Sequence, residues 1–491
     1  MMLIKFLNTK IIYIFILLII TVIFSLTAIA ENSTEKTFLN GIENCWQEKI
    51  TPDATGIIIS SNFPDSRWWE KFNDQLLNSY LQQTIISNHN LLIAQSRIEQ
   101  YTQKTNIIRS AEYPQITLRD LFARISGSEN FLVPKVGQSS LPVQSFLGGG
   151  TQNLFSLPLT AQYEVDYLRK NHLKTLSAMK LSEISIFEYN IAKIATLSDF
   201  AAGYFNLVKY DKLLCLNLKL LNILEQLKEH RQSKYEAGEI SLDKVLQTNE
   251  DISLVKMRIE DIKKYQGQIS HFLTVLNGKI PVKESCFNRN NIDQLDFLGE
   301  LPLGNPLELI NRRPDIQVSE KMLEKAGIDI AIAKREFFPD LTVLGLFSYA
   351  SSNLDNFFSW GSNSKAIATI LSQSLYTGGK LRASVNLNKA NYKEALQNYH
   401  RTILTALRET EDSIGAINST RTRYKLSQNN ILLSNERLSL TKDKYNEGYS
   451  SYLDVLENEK DLVGYEIDMT GIKTELLTNY ISLYKALGGG Y

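Results

Sequence analysis

Residues 417–448 read INSTRTRYKLSQNNILLSNERLSLTKDKYNEG. They close a stretch, residues 380–447, that holds no proline and a single glycine, Gly415, before Gly448. Within it Ile417, Tyr424, Ile431, Leu438 and Tyr445 fall on a strict seven-residue track, and Leu426, Leu433 and Leu440 form a second track two residues out of phase. A seven-residue repeat marks helices packed along a long seam. Two residues turn a helix by about 200°, so the two tracks lie on nearly opposite sides and the helix needs a neighbour on each. At about 1.5 Å per residue the stretch spans roughly 100 Å, the dimension of a wall element rather than of a helix lying on a globular core.

A second stretch of the same kind, residues 164–237, again lacks proline and has one glycine, Gly203. Phe200, Leu207, Leu214 and Leu221 make one track in it and Leu213, Leu220 and Leu227 another. The two stretches also end alike. Lys234, Tyr235, Gly238, Ser241, Val245 and Leu246 align at constant offset with Lys444, Tyr445, Gly448, Ser451, Val455 and Leu456. Six matches around a shared helix-stop glycine are an internal repeat, which has to be recognised before the fold is assigned.

The rest of the chain repeats the same plan. Leu76, Leu77, Leu81, Ile85, Leu91, Leu92, Ala94 and Ile98 give helical spacing before Pro114, and strands are expected over 116–125 and 153–163, joined by a Gly/Ser/Pro-rich loop at 126–150. Pro158 is an awkward residue for a central strand. In the second half a helix from Pro314 ends before Pro339, strands are expected over 341–349 and 365–376 around a polar loop at 351–364, and Gly378-Gly379 turns into the long helix. The predicted organisation is therefore a signal peptide at 1–30, an arm at 31–66, a first repeat at 67–290 containing the long helix 164–237, a linker at 291–311, and a second repeat at 312–491 containing the long helix 380–447. The fold class is mainly α with a small β part.

Lysine plus arginine and aspartate plus glutamate balance at 53 each, which gives no basic face for nucleic acid. The three cysteines, Cys45, Cys215 and Cys286, are too scattered for a disulfide framework or a CxxC site. Lys5 and Lys10 precede an apolar run from Ile11, and Ala28-Ile29-Ala30 reads as a cleavage site, so the mature chain is expected to leave the cytosol; an uncleaved anchor is the rival reading. Cys45 lies far from that run and is a poor lipidation site.

No catalytic signature is present. His89, His172, His230, His271 and His400 have no metal-ligand spacing, and no G-x-S-x-G, P-loop or GxGxxG occurs. No enzyme, metal or cofactor is therefore expected. Asp454 and Glu457, three apart on one helical face, fit either a solvated surface or a pore, with acid–base catalysis a distant third. Gly238 and Gly448 are first of all helix C-caps with left-handed backbone. Arg313-Pro314-Asp315 starts a helix, with Pro314 in its first turn. Four strands leave open edges, which the economical solution closes in a symmetric oligomer sharing one barrel. Two readings remain, a channel and a periplasmic coiled-coil adaptor or structural protein, and the paired strand-loop-strand units favour the channel.

Beyond these patterns, the chain resembles the TolC-like outer-membrane efflux factors, many of which carry NodT in their names. The resemblance rests on Trp68-Trp69-Glu-Lys-Phe72-Asn-Asp74-Gln-Leu76, Ala111-Glu-Tyr113-Pro114, Tyr163-Glu164-Val165-Asp166, Arg313-Pro314-Asp315-Ile316, Phe338-Pro339, the Tyr-x-x-Gly-x-x-Ser turns, and Leu483-Tyr484-Lys485-Ala486-Leu487-Gly488-Gly489-Gly490. It implies a homotrimer with a twelve-stranded β-barrel in the outer membrane, four strands per chain, and a long α-helical barrel in the periplasm. Such a duct is passive and serves efflux or type I secretion by docking to a periplasmic adaptor and an inner-membrane efflux or ABC transporter. The resemblance also implies a periplasmic gate at Tyr445, Asp454 and Glu457, and adaptor-docking turns at Tyr235, Gly238, Ser241, Gly448 and Ser451. Ser450 departs from the family's basic gate residue and Glu457 stands for an aspartate, so fewer ion pairs are expected at the constriction. The lipidated cysteine of many relatives is missing. On this orientation, epitope tags placed in residues 126–150 or 351–364 should label on intact cells; labelling only after permeabilisation would reverse it.

Overall fold

Two helices of 67 residues each, Lys170–Glu236 and Lys380–Asn446, are the longest elements described, and each turns back into a helix of 35 residues, Leu242–Leu276 and Tyr452–Ala486. Every boundary of the first hairpin maps onto the second at one constant offset: Lys170 onto Lys380, Glu236 onto Asn446, Leu242 onto Tyr452, Leu276 onto Ala486. The computed structural model describes residues 46–47, 59–60, 66–127, 150–281, 287–295, 297 and 301–490. By its contacts the chain divides after Trp46, and the unit Gln47–Tyr491 holds every element named below. The expected signal peptide, nearly all of the arm and most of the 126–150 loop lie outside the described residues.

In chain order the elements are β1 (Ile59–Ser60), α1 (Gln75–Ser87), α2 (His89–Arg109), β2 (Gln115–Leu118), β3 (Leu121–Gly127), β4 (Gly150–Glu164), α3 (Lys170–Glu236), α4 (Leu242–Leu276), β5 (Leu301–Pro302), α5 (Pro306–Arg312), α6 (Pro314–Arg335), β6 (Asp340–Ser351), β7 (Asn363–Ser372), α7 (Lys380–Asn446) and α8 (Tyr452–Ala486). The helices stand side by side as a wall. Near the sheet the order is α2, α3, α6, α7, and toward the hairpin turns it is α4, α3, α8, α7. Of the two tracks of α7, which predict a neighbour on each side, the chain covers only one. Ile417 and Leu438 are 0% and 9% exposed against α8, whereas Leu426, Leu433 and Leu440 on the other side stay 60%, 56% and 56% exposed.

The sheet runs β2/β3, β4, β6, β7, all antiparallel. The strand expected over 116–125 is broken into two, both on one edge of β4. Pro158 explains the break. Its carbonyl accepts from the Arg119 N–H at 3.1 Å, so its missing N–H falls on the same side, where Arg119 and Asp120 leave the ladder. On its other side Pro158 pairs with Ser348 in an unbroken ladder. The strand expected to reach Tyr376 stops at Ser372 because its partner runs out at Asp340, after Pro339. The long helix expected from Glu164 begins at Lys170. Glu164 and Val165 remain with the sheet, and Asp166 caps the helix, accepting from the N–H groups of Asn171 at 3.1 Å and His172 at 2.8 Å.

Pairing register sorts the sheet into two faces. One carries the rows Leu118, Leu159, Phe347, Lys365 and Ile116, Ala161, Gly345, Ile367; the other carries Thr117, Thr160, Leu346, Ala366 and Gln115, Gln162, Leu344, Ala368. Apart from Lys365 the first is apolar, and the second is mixed to polar, the alternation of a strand set between lipid and water.

Where the wall thickens, an aromatic core joins the N-terminal turn to both hairpins. Trp68 stacks on Tyr484 at 5.4 Å, Phe297 on Tyr480 at 4.3 Å, and Phe72 meets Phe205 at 5.0 Å. Asp74 holds this corner: it caps α1 through Leu76 and Leu77, and accepts from the Tyr204 hydroxyl at 2.7 Å. Arg313 pins a second corner. It is buried, pairs with Asp315 at 2.7 Å and Glu409 at 2.8 Å, and donates to the Ala486 carbonyl at 2.8 Å, tying α6, α7 and the end of α8 together. Burial works against its charge, but the two carboxylates outweigh it and hold the guanidinium pKa above its ordinary value.

Two outcomes follow from these corners. Arg313→Ala should cost about 3–5 kcal/mol, since it strands two carboxylates and a carbonyl at a buried site, and Arg313→Lys should restore only part because the ammonium lacks the forked geometry; thermal unfolding of both variants measures it. Burial also pushes the Tyr480 phenol up to about 12, with Arg421 opposing. Its folded pKa lies above the unfolded value, so the stabilisation is full below the ordinary tyrosine pKa of about 10 and is lost as pH climbs through that range toward the folded value. Alkaline titration of unfolding should show this loss, reduced in Tyr480→Phe.

Candidate functional site

The two hairpin turns are built alike from the backbone up. At the end of α3 the Gly238 N–H donates to the Tyr235 carbonyl at 2.9 Å and the Glu239 N–H to the Lys234 carbonyl at 2.8 Å; at the end of α7 Gly448 reaches Tyr445 at 3.0 Å and Tyr449 reaches Lys444 at 2.8 Å. This six-residue closure needs a left-handed residue, and Gly238 and Gly448 supply it at φ 77° and 80°. The conformation explains both glycines without any partner.

The next step breaks the symmetry. Ser451 accepts from the Leu453 N–H at 3.3 Å, and Asp454 returns a capping box by accepting from the Ser451 N–H at 2.9 Å and the Ser450 hydroxyl at 2.9 Å. Ser241 makes no side-chain cap, and the residue matching Asp454 is Lys244, which cannot accept a hydrogen bond. Asp454 is therefore committed first to its own helix start.

Glu457 takes a different partner. Its Oε1 accepts from Arg231 Nη2 at 2.6 Å, while Arg231 Nη1 donates to Thr248 Oγ1 at 2.8 Å. Arg231 lies on α3 and Glu457 on α8, so this contact clasps the first hairpin to the second near their turns. The arginine side chain is 12% exposed and the glutamate 50%. Ser450, where the resemblance leads one to expect a basic residue, offers only its hydroxyl, and the cation paired with Glu457 comes from the other hairpin. Beside the clasp the Tyr445 ring lies 5.4 Å from that of Tyr452, which lies 5.1 Å from His230 on α3. Tyr235, the repeat partner of Tyr445, is half-exposed. Below the turns the α3–α8 contact is apolar, formed by Leu220, Leu224, Leu227, Leu456 and Val463.

Arg231 had one legible signal. At repeat-matched positions Arg231 faces Thr441, Lys244 faces Asp454 and Gln247 faces Glu457, so the first tip is basic where the second is acidic. Among the described residues no three His, Cys, Asp or Glu side chains converge to hold a metal ion. The tip's chemistry is helix capping, ring contact and one ion pair between hairpins.

A sequence profile of the family described as outer membrane efflux protein matches residues 305–489. The probable efflux pump outer membrane protein TtgC of Pseudomonas putida is 24% identical over 86% of this chain and 85% of its own. The solvent efflux pump outer membrane protein SrpC of Pseudomonas putida is 28% identical over 88% and 89%. Among solved structures, the Campylobacter jejuni CmeC outer membrane channel superposes with a TM-score of 0.79 at 21% identity, covering 92% of this chain and 93% of its own.

The unequal caps give a direct test. Ser451→Ala or Asp454→Ala should destabilise the start of α8 by about 1 kcal/mol, whereas Ser241→Ala should be nearly neutral. Hydrogen exchange at residues 449–456 and 239–246 reads the difference; equal effects at the two turns would contradict it.

Proposed function

We propose that the chain is a TolC-like outer-membrane efflux factor, a channel of the Gram-negative outer membrane, of which three copies form the duct, with the paired tips as a periplasmic gate. Relatives named for antibiotic and solvent efflux favour small-molecule efflux as the process served. The duct is a passive conduit that docks a periplasmic adaptor at the turns carrying Tyr235, Gly238, Ser241, Gly448 and Ser451, and works with an inner-membrane transporter.

Trimer formation is supported by surfaces a single chain leaves bare. The free edges of β2/β3 and β7 invite closure with other copies, and the exposed leucine track of α7 has a counterpart in Leu246, Leu254 and Met257 of α4 at the opposite edge of the wall. The folded chain is accordingly expected only as a trimer, and a monodisperse folded monomer by light scattering in detergent would refute this.

The observation that carries the gate is the Arg231–Glu457 clasp. Closed, it holds the α7–α8 tip against the α3–α4 tip, with Tyr445, Tyr452 and His230 packed beside it. Opening swings the second tip away and exposes both ions to water. Glu457 is half-exposed, so the clasp contributes under about 1 kcal/mol per chain, no more than about five-fold in the closed-to-open ratio. A weak latch suits a gate that docking has to release. Three copies of Asp454 and Glu457 around one axis would favour cations over anions.

Planar-bilayer recording tests both parts. Arg231→Glu should raise the resting conductance, and adding Glu457→Arg should lower it again by re-forming the pair; failure of the double reversal to recover would remove the clasp from the gate. Asp454→Ala with Glu457→Ala should reduce cation selectivity and divalent block. Unchanged selectivity would make both carboxylates surface residues only.

A further inference from the structure

Lys365 is a cation in an apolar row. It stands on the lipid-facing side of β7, in register with Phe347, Leu159 and Leu118, in the third position from the end of the strand farthest from the helices. Its ammonium lies 4.9 Å from the Trp360 ring centre and 5.8 Å from that of Phe347, and among the described residues no ion pair holds it. Rings crowd this end: Phe122 lies 4.8 Å from Phe155, and Tyr349 meets Phe357 at 6.4 Å and Phe358 at 5.9 Å. Trp360 and Phe358 are largely exposed. Such a belt marks the level where hydrocarbon gives way to headgroups, and a lysine whose stem lies along rings presents its charge at that level.

A second cation occupies the same end and face. Arg124 on β3 shares the face of Phe122 and stands three residues from the strand end at Gly127. It is exposed. Closing the barrel joins the free β7 edge of one copy to the free β2/β3 edge of the next, so Lys365 and the next copy's Arg124 flank one seam, each close to the outer end of its strand. Two cations that no ion pair holds among the described residues, set among rings at a lipid boundary, match a phosphate borne on an amphiphile. The helices lie on the periplasmic side, so this end meets the outer leaflet, whose lipid is a phosphorylated glycolipid.

We propose that Lys365 and Arg124 form a lipopolysaccharide-binding seam, gripping a phosphate of the lipid A headgroup while Trp360, Phe347 and Phe122 line its acyl side. The proposal rests on the outer-membrane barrel reading above. Full-length protein, extracted as trimer in mild detergent, is delipidated and titrated with diphosphoryl lipid A, dephosphorylated lipid A or phosphatidylglycerol, with bound lipid read by native mass spectrometry. The expected result is selective binding of diphosphoryl lipid A, about ten-fold weakened in Lys365→Gln with Arg124→Gln and largely kept in Lys365→Arg, in line with the loss of a charge-assisted hydrogen bond. Equal binding by the double variant, equal binding of dephosphorylated lipid A, or equal binding of phosphatidylglycerol each overturns the seam. Heat-sensitive trimer in the outer-membrane fraction is scored in parallel: its absence for the unaltered protein overturns the barrel reading itself, while its presence without selective lipid A binding overturns only the seam.

Discussion

A helix about 100 Å long cannot bury itself against a compact core; it must be flanked along its whole length. The chain meets that demand fully for α3, which has α2 and then α4 on one side and α6 and then α8 on the other. For α7 it meets it on one side only, against α6 and α8, and leaves Leu426, Leu433 and Leu440 facing outward. The sheet shows the same incompleteness, with β2/β3 and β7 each paired once. One shortage, a wall with two bare edges, thus accounts for both the helical and the strand surfaces that a single chain leaves uncovered.

Duplication keeps what the seams need and releases what they do not. Hairpin boundaries map at a single offset because one inserted residue would rotate every later side chain by about 100° off its seam. Charges at the tips carry no such constraint. There Arg231, Lys244 and Gln247 stand where the second hairpin has Thr441, Asp454 and Glu457, so the two hairpins are complementary, one offering a guanidinium and the other a carboxylate.

The residues that carry the family resemblance mostly serve joints. Asp74 caps α1 while bound to Tyr204, Asp166 caps the start of α3 beneath the sheet, and Arg313 joins α6, α7 and the end of α8. Each is a polar group at a place where the wall changes direction and backbone groups would otherwise lose their partners. A buried joint of this kind fixes the angle between elements, which apolar packing alone leaves adjustable.

By itself the sequence determined what periodicity and stop signals encode. Heptad tracks announced the long helices and, for α3, the two-sided packing, Gly238 and Gly448 announced their turns, and the matching Lys-Tyr-Gly-Ser-Val-Leu positions announced the repeat. Period-two patterns announced the strands, although the split at Arg119 and Asp120 waited on the neighbour of Pro158. Tertiary structure alone decided the tip. Asp454 and Glu457 read as one acidic pair in sequence, yet the first closes a capping box with Ser451 while the second reaches Arg231, 226 residues away. Periodicity reports only which face of a helix a residue occupies, not which distant helix that face meets. The partner of Glu457 was fixed when the apolar seam of Leu224, Leu227, Leu456 and Val463 set α3 against α8.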